Sequence, residues 1–109
     1  MNPHVKRATA AVSLFALCTG PLAIAQDGTE AGKTLFNQTA VPACAVCHTL
    51  KHAGASGEIG PSLDELKPDA SRVEKAIRNG IGQMPAFKTL SDDQIKTLAQ
   101  YVATVTASK

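Results

Sequence analysis

Cys44-Ala45-Val46-Cys47-His48 decides how the rest of the chain is read. Written C-x-x-C-H, it is the attachment signature of a c-type haem. Two thiols separated by two residues can reach the two vinyl-derived carbons of one porphyrin and form thioether bonds. A histidine directly after the second cysteine then lies under the ring, where an imidazole nitrogen can bind the iron. Two other readings compete. A structural disulfide across two intervening residues closes a tiny loop and gains little chain entropy. A thioredoxin-like dithiol asks for a preceding strand in a βαβ setting, and no such strand is visible ahead of Cys44.

Downstream lies Gly82-Gln83-Met84-Pro85-Ala86-Phe87, with Met84 36 positions after His48. That leaves room for a loop and a helix, so Met84 can approach the iron from the opposite face. A lone methionine is ordinarily a core filler. Three features favour an axial ligand instead: Gly80 and Gly82 mark a loop, Pro85 follows, and Met1 is the only other methionine. Phe87 is expected to pack on the haem or its pocket wall. His52 lies only four residues past His48, on the same side of the haem, and reads as a solvent-exposed loop histidine.

Around these motifs the pattern is helical. A helix is expected over about Thr29 to Asn37, capped by Asp27 with Glu30 as partner, its Gly32, Leu35 and Phe36 on one face. Gly32 is costly in a helix and wants a packing reason, such as the close approach of another helix. Pro42 stops this helix from running on. Thr49 to Leu63, rich in glycine and small residues, reads as an irregular loop, with one short helical turn over Leu63 to Leu66. The next helix opens at Pro68 or Asp69, buries Val73, Ala76 and Ile77, and stops at Asn79-Gly80. Ser91 and Gln94 form a capping box for the last helix. Ile95, Leu98, Ala99, Val102 and Val105 share its apolar face, and Thr106 to Lys109 are expected to fray.

The ordered set Gly32-Lys33-Thr34-Leu35-Phe36, Cys44-Ala45-Val46-Cys47-His48, Gly60-Pro61-Ser62-Leu63, Asn79-Gly80 with Met84-Pro85, and Leu98-Ala99-Gln100-Tyr101 resembles the class I c-type cytochromes of bacteria. The resemblance implies an all-α cytochrome c fold, with three main helices and loops wrapped around one covalently bound haem c. It implies that Gly32 and Phe36 cross the C-terminal helix at Leu98 and Tyr101. It further implies that the carbonyl of Pro61 accepts a hydrogen bond from the free ring nitrogen of His48, which fixes that ligand's orientation and raises its basicity. The expected site is therefore Cys44 and Cys47 as thioether anchors, His48 and Met84 as axial iron ligands, and Pro61 behind His48.

The first 25 residues read as a secretory signal peptide, followed by a cytochrome c domain over residues 26–109. Lys6 and Arg7 precede an apolar run that ends in Ala23-Ile24-Ala25, with cleavage expected after Ala25. Gly20-Pro21 interrupts that run and leaves it too short to span a bilayer. Leu17 is too bulky for a lipid-attachment site at Cys18. The formal charge of +2 belongs to this leader. Without Lys6 and Arg7, the eleven basic residues fall to nine, matching nine acidic ones. The charge therefore gives no support for nucleic-acid binding. The remaining domain has no tryptophan and a thin core, and chains this small often need a cofactor to be stable.

A haem held on both faces leaves no open position for oxygen or substrate. That argues against oxygen transport and oxygenase or peroxidase chemistry, and for moving single electrons at a high potential. The main expectation is a soluble periplasmic electron carrier that docks transiently with redox proteins, a donor dehydrogenase and a terminal oxidase or other acceptor. Its docking patch is expected to be mostly apolar, around Ala43, Val46, Met84, Pro85 and Ala86, with Lys51 and Lys88 at the rim. The alternative is a dedicated electron-accepting subunit or partner of one periplasmic dehydrogenase. The runs Gly57 to Pro68 and Gly80 to Phe87 are similar to small cytochromes associated with sulfite dehydrogenases. A third class, a ligand-binding haem sensor or enzyme, requires Met84 to dissociate.

Overall fold

The structure is a computed structural model that describes residues 9–16 and 22–107. Most of the proposed leader lies outside that range. Of its described parts, residues 9–16 have no regular structure, with Val12, Leu14 and Phe15 exposed, and residues 22–25 lie in the first helix.

Helix α1 spans Leu22–Thr34 and continues as a π-turn over Leu35–Thr39. It begins upstream of the expected Asp27 cap, because Leu22-Ala23-Ile24-Ala25-Gln26 favours helix and lets the winding propagate through Asp27. The π-turn was not expected. It closes with Ala40 N–H donating to Leu35 O at 3.0 Å, one residue wider than an α-turn. Leu35 and Phe36 are both buried there.

Three short pieces follow: α2 (Cys44–Cys47), β1 (Thr49–Leu50) and β2 (Ala55–Ser56). The two strands pair antiparallel, Thr49 opposite Ser56 and Leu50 opposite Ala55, around a 3-10 turn over Lys51–Ala53. The expected irregular loop thus contains a small hairpin. Gly54 closes its turn at φ +67°, a backbone region that suits glycine. The expected helical turn is α3 (Leu63–Leu66).

Helix α4 spans Ala70–Asn79. Asp69 caps it, its Oδ1 accepting from Arg72 N–H at 2.7 Å, and Gly80 ends it at φ +72°. Helix α5 spans Asp92–Ala107. Its predicted capping box is present: Gln94 N–H donates to Ser91 Oγ at 3.2 Å, and Ser91 N–H to Gln94 Oε1 at 2.9 Å. The expected fraying does not reach Thr106, which is buried inside the last turn and donates its hydroxyl to Val102 O at 2.8 Å. That bond satisfies the hydroxyl without water.

Helices α1, α4 and α5 are the main ones, as expected, and α5 packs on both α1 and α4. Phe36, Leu50, Leu98 and Val102 are the most deeply buried large apolar side chains. At the crossing of α1 and α5, Tyr101 lies directly on Gly32, and Phe36 meets the Tyr101 ring edge-on at 6.4 Å between centroids. A Cβ on Gly32 would overlap the Cβ of Tyr101, so two helix backbones or a core tyrosine must shift. Gly32→Ala is therefore expected to destabilise the holoprotein by about 2 kcal/mol net: overpacking costs up to about 3 kcal/mol, and helix propensity returns about 1 kcal/mol. Chemical denaturation checks this, and an unchanged midpoint would mean that the crossing is loose.

Candidate haem site

Cys44 and Cys47 sit three apart in one helical turn, which puts both side chains toward the same side. The turn ends abruptly: His48 has extended backbone angles (φ −118°, ψ 140°) while its N–H still bonds Cys44 O at 3.0 Å. The imidazole thereby leaves the helix and lines the same cavity as the two thiols.

The His48 ring is held from behind. Its Nδ1 is 2.8 Å from Pro61 O. A carbonyl only accepts, so Nδ1 carries the proton and Nε2 keeps its lone pair for a metal. Gly60 lies against the ring; a Cβ there would stand 2.6 Å from His48 Cε1. Gly60 N–H also donates to Cys47 O at 2.7 Å. A Cβ on Gly57 would stand 2.6 Å from the carbonyl carbon of Cys47, and Thr49 Oγ donates to Gly57 O at 3.0 Å. The Gly57–Pro61 segment therefore acts as a backing plate to the C-x-x-C-H turn. In the sequence Gly57 reads as a loop residue, and Gly60 as a loop residue that belongs to the Gly60-Pro61 motif. The readable signal for Gly60 is its place directly before Pro61.

The second wall comes from the loop after α4. Ile81 and Met84 face each other as a tight bridge, Ile81 N–H to Met84 O at 3.0 Å and Met84 N–H to Ile81 O at 2.9 Å. Gly80, Cβ-less and in the left-handed region, lets Met84 O approach; a Cβ there would stand 2.7 Å from that oxygen. Phe87 N–H bonds Ile77 O at 2.9 Å and anchors the loop back on α4. Met84 is half-buried, and buried Phe87 beside it also lines the cavity.

His48 and Met84 thus line one cavity of about 560 Å³ with both cysteines, in the size range of a bound organic cofactor. Phe36, Leu63, Val73, Ile77, Leu98 and Val102 make its walls apolar. The donor set of one imidazole lone pair and one thioether sulfur suits haem iron, and the thiols suit covalent attachment. Burial pushes the Cys44 thiol up to about 11, and the Cys47 thiol beside it adds to the rise. A redox dithiol needs the opposite shift, toward thiolate, so the site disfavours that rival reading.

Elsewhere the expectations divide. Val46, Ile59 and Ile81 are exposed at 57%, 67% and 66%, and the latter two line the cavity together with Ala43 and Pro85. This is an apolar mouth, wider than the expected patch. Lys51 and Lys88 are exposed but do not line it. His52 is exposed as expected, yet it is tied: its Nδ1 is 2.9 Å from the hydroxyl of Tyr101, whose pKa burial pushes up to about 12. Asn37, expected only as the end of the first helix, donates to Ala53 O at 3.0 Å and pins the same turn.

Comparison with known proteins gives the family. The family model described as cytochrome c oxidase, cbb3-type, subunit III matches residues 27–102. Cytochrome c6 of Cyanidium caldarium is 33% identical over 101 residues, covering 84% of each chain. Cytochrome c6 of Leptolyngbya boryana is 38% identical over 77 residues, covering 66% of this chain and 86% of that one. The crystal structure of the c-type cytochrome SorU from Sinorhizobium meliloti superposes with a TM-score of 0.71 at 52% identity, covering 73% of this chain and 92% of that one. The chain belongs to the class I c-type cytochromes: it is an electron-transfer protein rather than an enzyme, and its cofactor is covalently bound haem c with its iron.

Proposed function

We propose that this chain is an exported, periplasmic carrier of single electrons between redox proteins. In this reading the leader is removed after Ala25 and residues 26–109 form the functional domain. Cys44 and Cys47 anchor the haem, and His48 and Met84 hold its iron. The observation that carries the reading is the placement of His48, with its Nδ1–H donating to Pro61 O at 2.8 Å, on the same cavity as Met84.

The haem supplies reversible one-electron chemistry at its iron. The residues do the rest. Pro61 fixes the tautomer and direction of His48 and makes it a stronger donor. Met84 contributes a soft thioether that favours the reduced state and raises the potential. Phe36, Leu98 and Val102 exclude water, which again disfavours the more highly charged ferric state. The apolar mouth at Ile59 and Ile81 suits brief, small-area contacts with partners. Among the described residues, no helix is long and apolar enough to cross a membrane.

The test is an optical spectrum of protein purified from a host with working cytochrome maturation. A c-type pyridine haemochrome and the weak methionine-to-ferric charge-transfer band are expected. A haemochrome without that band would remove Met84 as ligand.

A second reading is a dedicated electron acceptor of one periplasmic dehydrogenase, such as a sulfite dehydrogenase. It is favoured by the Gly57–Pro68 and Gly80–Phe87 runs. Stable co-purification with a dehydrogenase separates it from a free carrier.

A further inference from the structure

Arg72 lies in the first turn of α4 and lines the cavity beside Pro68, Val73 and Ala76. It is the only Lys, Arg, Asp or Glu among the lining residues. Its backbone N–H is taken by Asp69, but its guanidinium makes no hydrogen bond or ion pair among the described residues. Arg78, on the same helix, is the contrast: Glu74 at 2.9 Å and Asp92 at 2.7 Å both hold it. An arginine on the wall of an apolar cavity, with no anion among the described residues, is available to an anionic group of the ligand.

Haem c brings that anion. Its two propionate carboxylates leave the porphyrin from the edge away from the thioether carbons. Here the thioether-forming cysteines are on α2, which packs on β2 and the π-turn, whereas Arg72 is on α4, which packs on α5. The cation and the two thiols therefore belong to different walls of one cavity.

We propose that Arg72 binds a haem propionate. The guanidinium donates charge-assisted N–H bonds to the carboxylate, for which its planar fork is better suited than an ammonium. The stem packs along the cavity wall while the head stays near water. The pair cancels a negative charge close to the iron. It thereby favours the reduced state and makes Arg72 a positioning and potential-setting residue. The inference rests on the haem assignment of Cys44 and Cys47.

The test uses the haem-loaded protein at one pH. The midpoint potential and the redox-difference infrared band of the propionate carboxylate are measured for wild type, R72Q, R72K and K75Q. Lys75 is exposed on the same helix and does not line the cavity, so K75Q removes the same charge without touching the proposed pair. R72Q is expected to lower the potential and shift the carboxylate band, R72K to shift both less, and K75Q to leave the band in place. If R72Q matches K75Q in both readouts, the proposal is overturned. Should R72Q not mature, R72K decides alone: an unshifted band overturns the proposal. A wild-type protein without haemochrome would instead sink the haem assignment itself, so the two failures are distinguishable.

Discussion

On the proposed ligation, Met84→Ala is expected to convert a six-coordinate haem into one with an open position. The methionine-to-ferric band disappears, the reduced protein binds carbon monoxide at neutral pH, and the midpoint potential falls. The fall should be a substantial part of the roughly 0.8 V over which axial ligands set haem potentials, because a soft donor that favours ferrous iron is lost. Stability should also drop, by about 2 kcal/mol, the low end for removing a buried methionine, since Met84 is only half-buried. The loop itself should survive, because its bridge and its anchor to Ile77 use backbone atoms alone. Spectroscopy, carbon monoxide titration and redox potentiometry check the result. An unchanged spectrum and potential would reduce Met84 to a core side chain.

Replacing Cys44 and Cys47 together by alanine is expected to abolish the holoprotein. The cavity they line is about 560 Å³ and reaches Phe36, Leu98 and Val102 in the middle of the core. At roughly 24 cal/mol per Å³ an unfilled hole of that size would cost about 13 kcal/mol. That is an upper figure, because the cavity is open to water, but it matches the whole stability of an ordinary domain, about 5–15 kcal/mol. The double variant should lack a c-type haemochrome and show little helical circular dichroism. A well-folded, haem-free double variant would mean that the helices support themselves and that the cofactor is only a guest.

Much of this was legible in the sequence because the informative signals are local. The C-x-x-C-H turn, the Ser91–Gln94 box, Asp69 at the start of α4 and Gly80 at its end each act within four residues, and each occurs as read. The Gly32–Tyr101 crossing was legible for another reason: a helix glycine needs a neighbour, and the resemblance named one.

What escaped the sequence is decided by contacts distant along the chain. Gly57 matters because of Cys47, ten residues earlier, and nothing in its own surroundings says so. The π-turn at Leu35–Thr39 exists where Leu35 and Phe36 are both buried, a demand of the core and not of helix propensity. His52 was assigned to solvent, and its bond to Tyr101, 49 residues later, has no sequence signature. Thr106 at the chain's end reads as tail until its hydroxyl is seen bonded inside α5.

The Ile81–Met84 bridge has a further consequence. It ties the Met84 backbone to a turn that is itself tied to α4. On the proposed ligation, a thioether that leaves the iron cannot diffuse away; it stays on a short tether. Its effective concentration at the metal is then that of an intramolecular competitor, in the millimolar range or above for a short connection. A small exogenous ligand must outcompete that standing concentration before it can occupy the iron. The turn thus works as a guard: on the proposed ligation it keeps the iron committed to passing electrons in the presence of dilute small molecules.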